Sequence, residues 1–175
     1  MLDKYRYSKE NRQKIIDSMV ILVDTREQKN DHILRIFDKY NFPYRRRKLE
    51  CGDYSFYIPK DPELGIFEDM YFDHDIVIER KASLEELSQN FTKFRQQFKN
   101  EMVQAPFHKV LMIENANYSN IVHHEYDTQY KERLFLNTLH RYWIRYNCPC
   151  FFVNIMDSAV FIKHHFDAFL QEYLR

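Results

Sequence analysis

The 175-residue chain has almost no glycine, two residues in all, so each one marks a place where the backbone needs freedom that other residues lack. It has three cysteines, Cys51, Cys148 and Cys150, an odd number that argues against a disulfide framework and for a reducing compartment. Cys148-Pro149-Cys150 is also tighter than usual zinc-ligand spacing, and His123, His124, His164 and His165 come as neighbours rather than at ligand intervals. No apolar run approaches the roughly 18 residues of a membrane span, and the charged start MLDKYRYSKENRQKIID contains no apolar export signal. A cytoplasmic, membrane-free protein is expected. Net charge is absent as well: 26 basic and 26 acidic residues cancel, so a nucleic-acid partner has to be sought in local patches. Repeats, low-complexity tracts and linkers are lacking too. With 45% hydrophobic and 17% aromatic residues, the chain suits one domain over 1–175 with a single real core.

What is present alternates between strand and helix. Met19–Val23 reads as a buried strand ending at Asp24, and Asp31 opens a helix that Pro43 closes. Two strand-like runs follow, Tyr44–Leu49 and Tyr54–Pro59, parted by Cys51-Gly52-Asp53. Residues 60–74 read as an acidic, solvated insertion, and residues 1–18 as an N-terminal extension. A strand is expected at 75–81, then one long helix from Ser83, which forms a capping box with Glu86 and carries Leu84, Leu87, Phe91, Phe94, Phe98 and Met102 at helical steps. Strands at 109–113 and 151–155 and helices at 128–147 and 157–173 complete an α/β fold with a mixed central sheet flanked by helices.

The strand Asp75–Lys81 is unusual because its aliphatic run delivers Glu79, Arg80 and Lys81 to one spot. Side chains alternate along a strand, so Glu79 and Lys81 share a face and Arg80 takes the other. A carboxylate and an ammonium so placed suit a divalent metal and the water it activates. A second carboxylate is needed, and Asp53 is the obvious one. Asp24 is a third acid within reach of the same edge.

Three motifs stand in order: Val23-Asp24-Thr25-Arg26-Glu27, Gly52-Asp53-Tyr54, and Ile78-Glu79-Arg80-Lys81 with a capped helix behind it. Together they closely resemble the nuclease domain of the XPF family of structure-specific endonucleases, with its V-D-x-R-E, G-D-[YF] and E-R-K-x-x-x-D signatures. The resemblance implies a restriction-endonuclease-like, PD-(D/E)xK core and Mg²⁺- or Mn²⁺-dependent hydrolysis of DNA, leaving a 5′-phosphate and a 3′-hydroxyl. It implies that Asp24, Asp53 and Glu79 bind metal and that Lys81 orients or deprotonates the attacking water. Arg80 and Arg26 would contact phosphate, with Glu27 and Glu85 as supporting acids. Glu85 stands where the signature has aspartate, the interval from Asp53 to Glu79 is long for the family, and no tandem helix-hairpin-helix module is expected. Such economy suits a bacteriophage recombination or replication gene.

The only basic run, Arg45, Arg46, Arg47 and Lys48, leads into Gly52-Asp53 and is expected to contact the phosphate backbone, although charges also protect edge strands. Glu63, Glu68, Asp69 and Asp73 are expected to face solvent and could narrow the approach of duplex DNA. The large apolar residues of the last two helices exceed what one sheet face covers, and similar nuclease domains dimerise through this end, so a homodimer is expected. A non-catalytic DNA-binding scaffold of the same fold is the alternative, against which the intact Asp53, Glu79, Arg80 and Lys81 speak. No recruiting protein can be read from the sequence.

Overall fold

In the computed structural model, which describes residues 7–175, the apolar runs become strands of one mixed sheet. The first half of the chain runs α1 (Lys9–Asp17), β1 (Val20–Val23), α2 (Asp31–Tyr40), β2 (Tyr44–Arg46), β3 (Tyr54–Ile58), β4 (Met70–Tyr71) and β5 (Ile76–Lys81). The second half runs α3 (Leu84–Phe91), α4 (Arg95–Gln104), β6 (His108–Glu114), α5 (Tyr118–Val122), α6 (Glu132–Tyr146), β7 (Cys150–Val153) and α7 (Ser158–Tyr173). Strand order is β2-β1-β3-β5-β6-β7, with β4 beside the end of β3. Only β3 runs against both of its main neighbours.

Alternation along the strands splits the core in two. Ile21, Val23, Tyr54, Phe56, Ile76, Ile78, Val110 and Met112 face α1, α2 and α7. Leu111 and Ile113 face the other way, against α3 to α6. Because β3 is reversed, its first residues share one rim of the sheet with the last residues of β1, β5 and β6. That rim collects Asp24, Asp53, Glu79, Arg80, Lys81 and Glu114.

Five expectations change. The long helix predicted from Ser83 breaks at Thr92–Phe94, where the Thr92 hydroxyl donates to the Ser88 carbonyl (2.7 Å) and the Phe94 N–H donates back to Gln89 (2.9 Å). Ser88, Asn90, Phe91 and Thr92 are all mediocre helix formers, and a hydroxyl that competes for backbone carbonyls favours a break there. The capping box is not closed on Ser83 either. Ser83 accepts from the Glu86 N–H, but the Glu86 carboxylate reaches the Ala82 N–H instead.

The 60–74 segment keeps Glu63, Glu68 and Asp69 exposed but is not wholly solvated: β4 extends the sheet, and Ile66 and Phe72 enter the core, Phe72 stacked on Phe56 at 4.6 Å. It pairs with Tyr57 and Ile58, at the end of β3 away from Asp53, so its acids are poorly placed to narrow a path to the site. The N-terminal extension is likewise partly core, since Tyr7, Ile15 and Ile16 are buried; its residues 1–6 lie outside the described residues. Finally, α6 and α7 do not form one surplus apolar surface. They cover opposite sheet faces, and Ile162, Phe166 and Leu170 of α7 are fully buried. Among the described residues, no helix is long and apolar enough to cross a membrane.

Candidate active site

The pairing of Tyr54 with Ile78 places Asp53 opposite Glu79 one step further along the antiparallel ladder. There the ladder gives way to side-chain chemistry: the Asp53 N–H still donates to Ile78 (2.9 Å), but the Arg80 N–H donates to Asp53 Oδ2 (2.7 Å). Gly52 makes this possible. Its φ is +73°, and a Cβ there would lie 2.7 Å from the Val77 Cβ, so the turn lies flat on β5 only because it lacks a side chain.

Lys81 Nζ donates to Glu79 Oε1 at 2.6 Å and stands 3.8 Å from Glu86, with its charge over the Phe98 ring. Asp53, Glu79 and Lys81 together line a cleft of about 310 Å³ between the sheet rim and the broken helix. Burial raises Asp53 well above the usual carboxylate range and the neighbouring Glu79 adds to it, while Lys81 and the Arg80 N–H pull the other way. Burial alone would discharge Lys81, but the Glu79 and Asp53 carboxylates outweigh it and hold the ammonium above the usual lysine range.

Among the described residues no group of three or more His, Cys, Asp and Glu side chains is arranged to hold a metal. Two facing carboxylates are what the cleft offers, and these suit Mg²⁺, which is held by one or two carboxylates and otherwise by water and phosphate oxygens. A cation would relieve the repulsion that raises Asp53. Asn90, whose Oδ1 is buried without a hydrogen bond, lines the same cleft. The donor set therefore fits a magnesium- or manganese-sized ion at Asp53 and Glu79.

Asp24 does not join them. Its carboxylate is 1% exposed and accepts four hydrogen bonds: from the Arg26 N–H and Nε on Oδ1, and from Arg26 Nη2 and the Leu49 N–H on Oδ2. Four lone-pair sites are thereby filled, and the bonds from Arg26 and Leu49 depress its pKa despite burial. Asp24 thus anchors the chain leading from β2 to Gly52, and it orients Arg26, whose side chain is 61% exposed at the cleft.

Arg80 lies off the cleft that Asp53 and Glu79 line. It is buried on the α2 side of the sheet, with Nη1 on Glu27 (2.7 Å) and Nη2 on Glu114 (2.7 Å). Glu114, at the end of β6, is fully buried and also 2.9 Å from His32. Sequence reasoning missed it, although an acid closing the apolar run Val110–Ile113 is the same signal that singled out Glu79. Glu27 is accordingly a partner of Arg80, and burial raises its pKa against that pairing. Glu85 accepts from the Asp127 N–H (2.9 Å), pinning the loop before α6, and it is Glu86 that approaches Lys81. In the basic run, Arg46 donates to the Glu27 carbonyl (3.2 Å) and Arg47 stacks on Tyr71 (3.8 Å), while Arg45 and Lys48 are exposed on edge strand β2 and its continuation.

No curated protein is matched in sequence. XPF from Aeropyrum pernix is structurally similar, with a TM-score of 0.62 at 15% identity over 85% of this chain and 60% of that one. A second structure, XPF from Aeropyrum pernix in complex with DNA, gives a TM-score of 0.61 at 16% identity over 89% of this chain and 66% of that one. At such identities the likeness is one of fold, and the chain spans less than two thirds of either structure. The family model of the ERCC4 domain, however, matches residues 23–165, from the last residue of β1 into α7, and so takes in all three charged motifs on the sheet rim. The chain belongs to the ERCC4 domain family.

Proposed function

We propose that the protein is a Mg²⁺- or Mn²⁺-dependent DNA endonuclease that cuts branched or flap structures during recombination, repair or replication. The observation that carries this reading is the meeting of Asp53, Glu79 and Lys81 in one cleft at the sheet rim. One of the similar structures is a complex with DNA, which supports the choice of substrate. A divalent ion bound by Asp53 and Glu79 would polarise the scissile phosphate and acidify water. The chain's own groups do the rest. Lys81, kept as an ammonium, donates to the attacking water and to charge developing on phosphate; in this state it is not the proton acceptor. Arg26, fixed through Nε and Nη2, keeps its Nη1 N–H groups without partners among the described residues and presents them to a phosphate oxygen.

The test is cleavage of labelled duplex, flap, fork and four-way-junction DNA with Mg²⁺ or Mn²⁺, wild type beside Glu79→Ala. Wild type is expected to cut a branched substrate fastest, and the variant to bind without cutting. Binding with no cleavage under either metal would instead support a scaffold.

A homodimer through the C-terminal helices is part of the same proposal, supported by apolar side chains left exposed on α6 and on edge strand β7. Phe151 on β7 and Met156 after it are exposed, as are Trp143 and Ile144 on α6, Ile144 by 84%. Light scattering at micromolar concentration should give twice the chain mass and the single mass for Ile144→Asp. A monomeric wild type removes the dimer.

A further inference from the structure

The catalytic cleft has an acidic balance, with Asp53, Glu79, Glu50 and Glu101 set against Arg26 and Lys81. A phosphate backbone gains little from such a surface before a cation arrives, so attraction for a polyanion must come from elsewhere. The run on β2 is one source, although Arg46 and Arg47 spend part of their donor capacity on the Glu27 carbonyl and the Tyr71 ring.

A second source lies across α4. A hollow of about 430 Å³ between the helix break and α6 gathers Lys93, Arg95, Lys99 and Arg145, with Tyr142 and Tyr146 in its wall and no carboxylate in its lining. None of the four cations forms a salt bridge among the described residues. Two of them also stand where helix electrostatics opposes them. Lys93 and Arg95 flank the start of α4, whose first turn has no acid and whose N-cap, Phe94, contributes no side-chain hydrogen bond. Cations at the positive end of a helix repel it, and an anion placed among them removes the repulsion. A merely solvated polar face would carry both signs. This one carries a single sign, drawn from two helices far apart in sequence.

The helix break also links the two places. Thr92 and Lys93 line the hollow, while Asn90 and Phe94 line the catalytic cleft. We propose that the hollow is a clamp for the phosphodiester backbone of DNA, in which Lys93, Arg95, Lys99 and Arg145 hold a strand that crosses the break to reach Asp53 and Glu79. The identity of the ligand rests on the nuclease reading.

The experiment measures binding of a fluorescent DNA duplex to the full chain by anisotropy, over a range of salt and with chelator present so that nothing is cut. The variant combining Lys93→Gln, Arg95→Gln, Lys99→Gln and Arg145→Gln is expected to bind roughly tenfold or more weakly. Its plot of log affinity against log salt should be shallower by about 0.9 for each phosphate that is no longer neutralised. Its unfolding midpoint should equal or exceed that of wild type, because like charges have been separated from a helix start. The double variant Lys99→Gln with Arg145→Gln, which leaves that start intact, should show about half the change in slope. Affinity and slope unchanged in both variants overturn the clamp, as does weakening seen only with an RNA strand. The two readings fail separately: DNA cleavage with an unchanged salt slope sinks the clamp alone, whereas salt-dependent binding lost in the variants without any wild-type cleavage sinks the reaction alone.

Discussion

Arg80→Met is expected to lower stability by about 3–5 kcal/mol, the usual cost of stranding a buried charge, and so to remove much of the roughly 5–15 kcal/mol that holds a domain together. The magnitude follows from what the guanidinium leaves behind. Glu114 is 0% exposed and Glu27 nearly buried, and each gives an oxygen to Arg80 at 2.7 Å. Only the neutral hydroxyl of Ser158 and His32 would remain on Glu114. A sharp loss of thermal midpoint is therefore expected, with activity falling as the folded fraction falls. A phosphate-binding Arg80 would behave differently, losing cleavage at unchanged midpoint; that outcome would return Arg80 to the reaction. Acid should produce part of the same collapse. Burial pushes Glu114 up, but hydrogen bonds from Arg80, Ser158 and His32 outweigh it, so its folded pKa lies below the usual value of about 4.3. The unfolded chain then binds the proton more readily, and the contribution of Glu114 is complete above that value and lost as pH falls through the folded one. Glu27, raised by burial, works in the opposite sense: it takes its proton first and costs stability above the usual range.

The period-two logic of Glu79-Arg80-Lys81 was legible from seven residues, because a strand buried on both faces has to send adjacent charges to opposite sides. The destination of Arg80 was not. Its partner Glu114 comes from β6 and reaches it only through the parallel register that pairs Arg80 with Met112, and nothing local encodes that register. Asp24 misled for a related reason. An acid at a strand end reads the same whether its lone pairs face a cleft or are filled by Arg26 and by Leu49, which is 25 residues away. Asp53 was readable because Gly52 fixes the turn before it. The 60–74 segment looked solvated by composition, and Glu63, Glu68 and Asp69 do stay exposed, yet Ile66 and Phe72 suffice to dock it on the core. Along a continuous helix after Ser83, Lys93, Arg95 and Lys99 read as an ordinary polar face; the break at Thr92 puts Lys93 and Arg145 in the lining of one hollow.

Lys81→Met is expected to slow cleavage by about 10²–10³-fold, the scale of removing one donor aimed at developing charge, while tightening the binding of Mg²⁺ or Mn²⁺. The two effects have opposite signs because Lys81 has two relations to the cleft. Toward substrate it is the ammonium that orients water and meets charge on phosphate. Toward a divalent ion it is a competitor, since its Nζ lies 2.6 Å from Glu79 and its charge also acts on Asp53. Removing it leaves two facing carboxylates with no internal cation, and burial together with Glu79 then drives Asp53 further toward protonation or toward metal. Glu79→Gln should do the reverse on the metal side: it removes a ligand and the repulsion at once, so metal binding weakens and cleavage fails. Titrating single-turnover cleavage against Mn²⁺ separates the cases, with Lys81→Met giving a lower plateau reached at lower metal and Glu79→Gln giving no plateau. If Lys81→Met lost rate and metal affinity in parallel, Lys81 would serve only to hold Glu79 in place, and the cation acting on the phosphate would have to be Arg26.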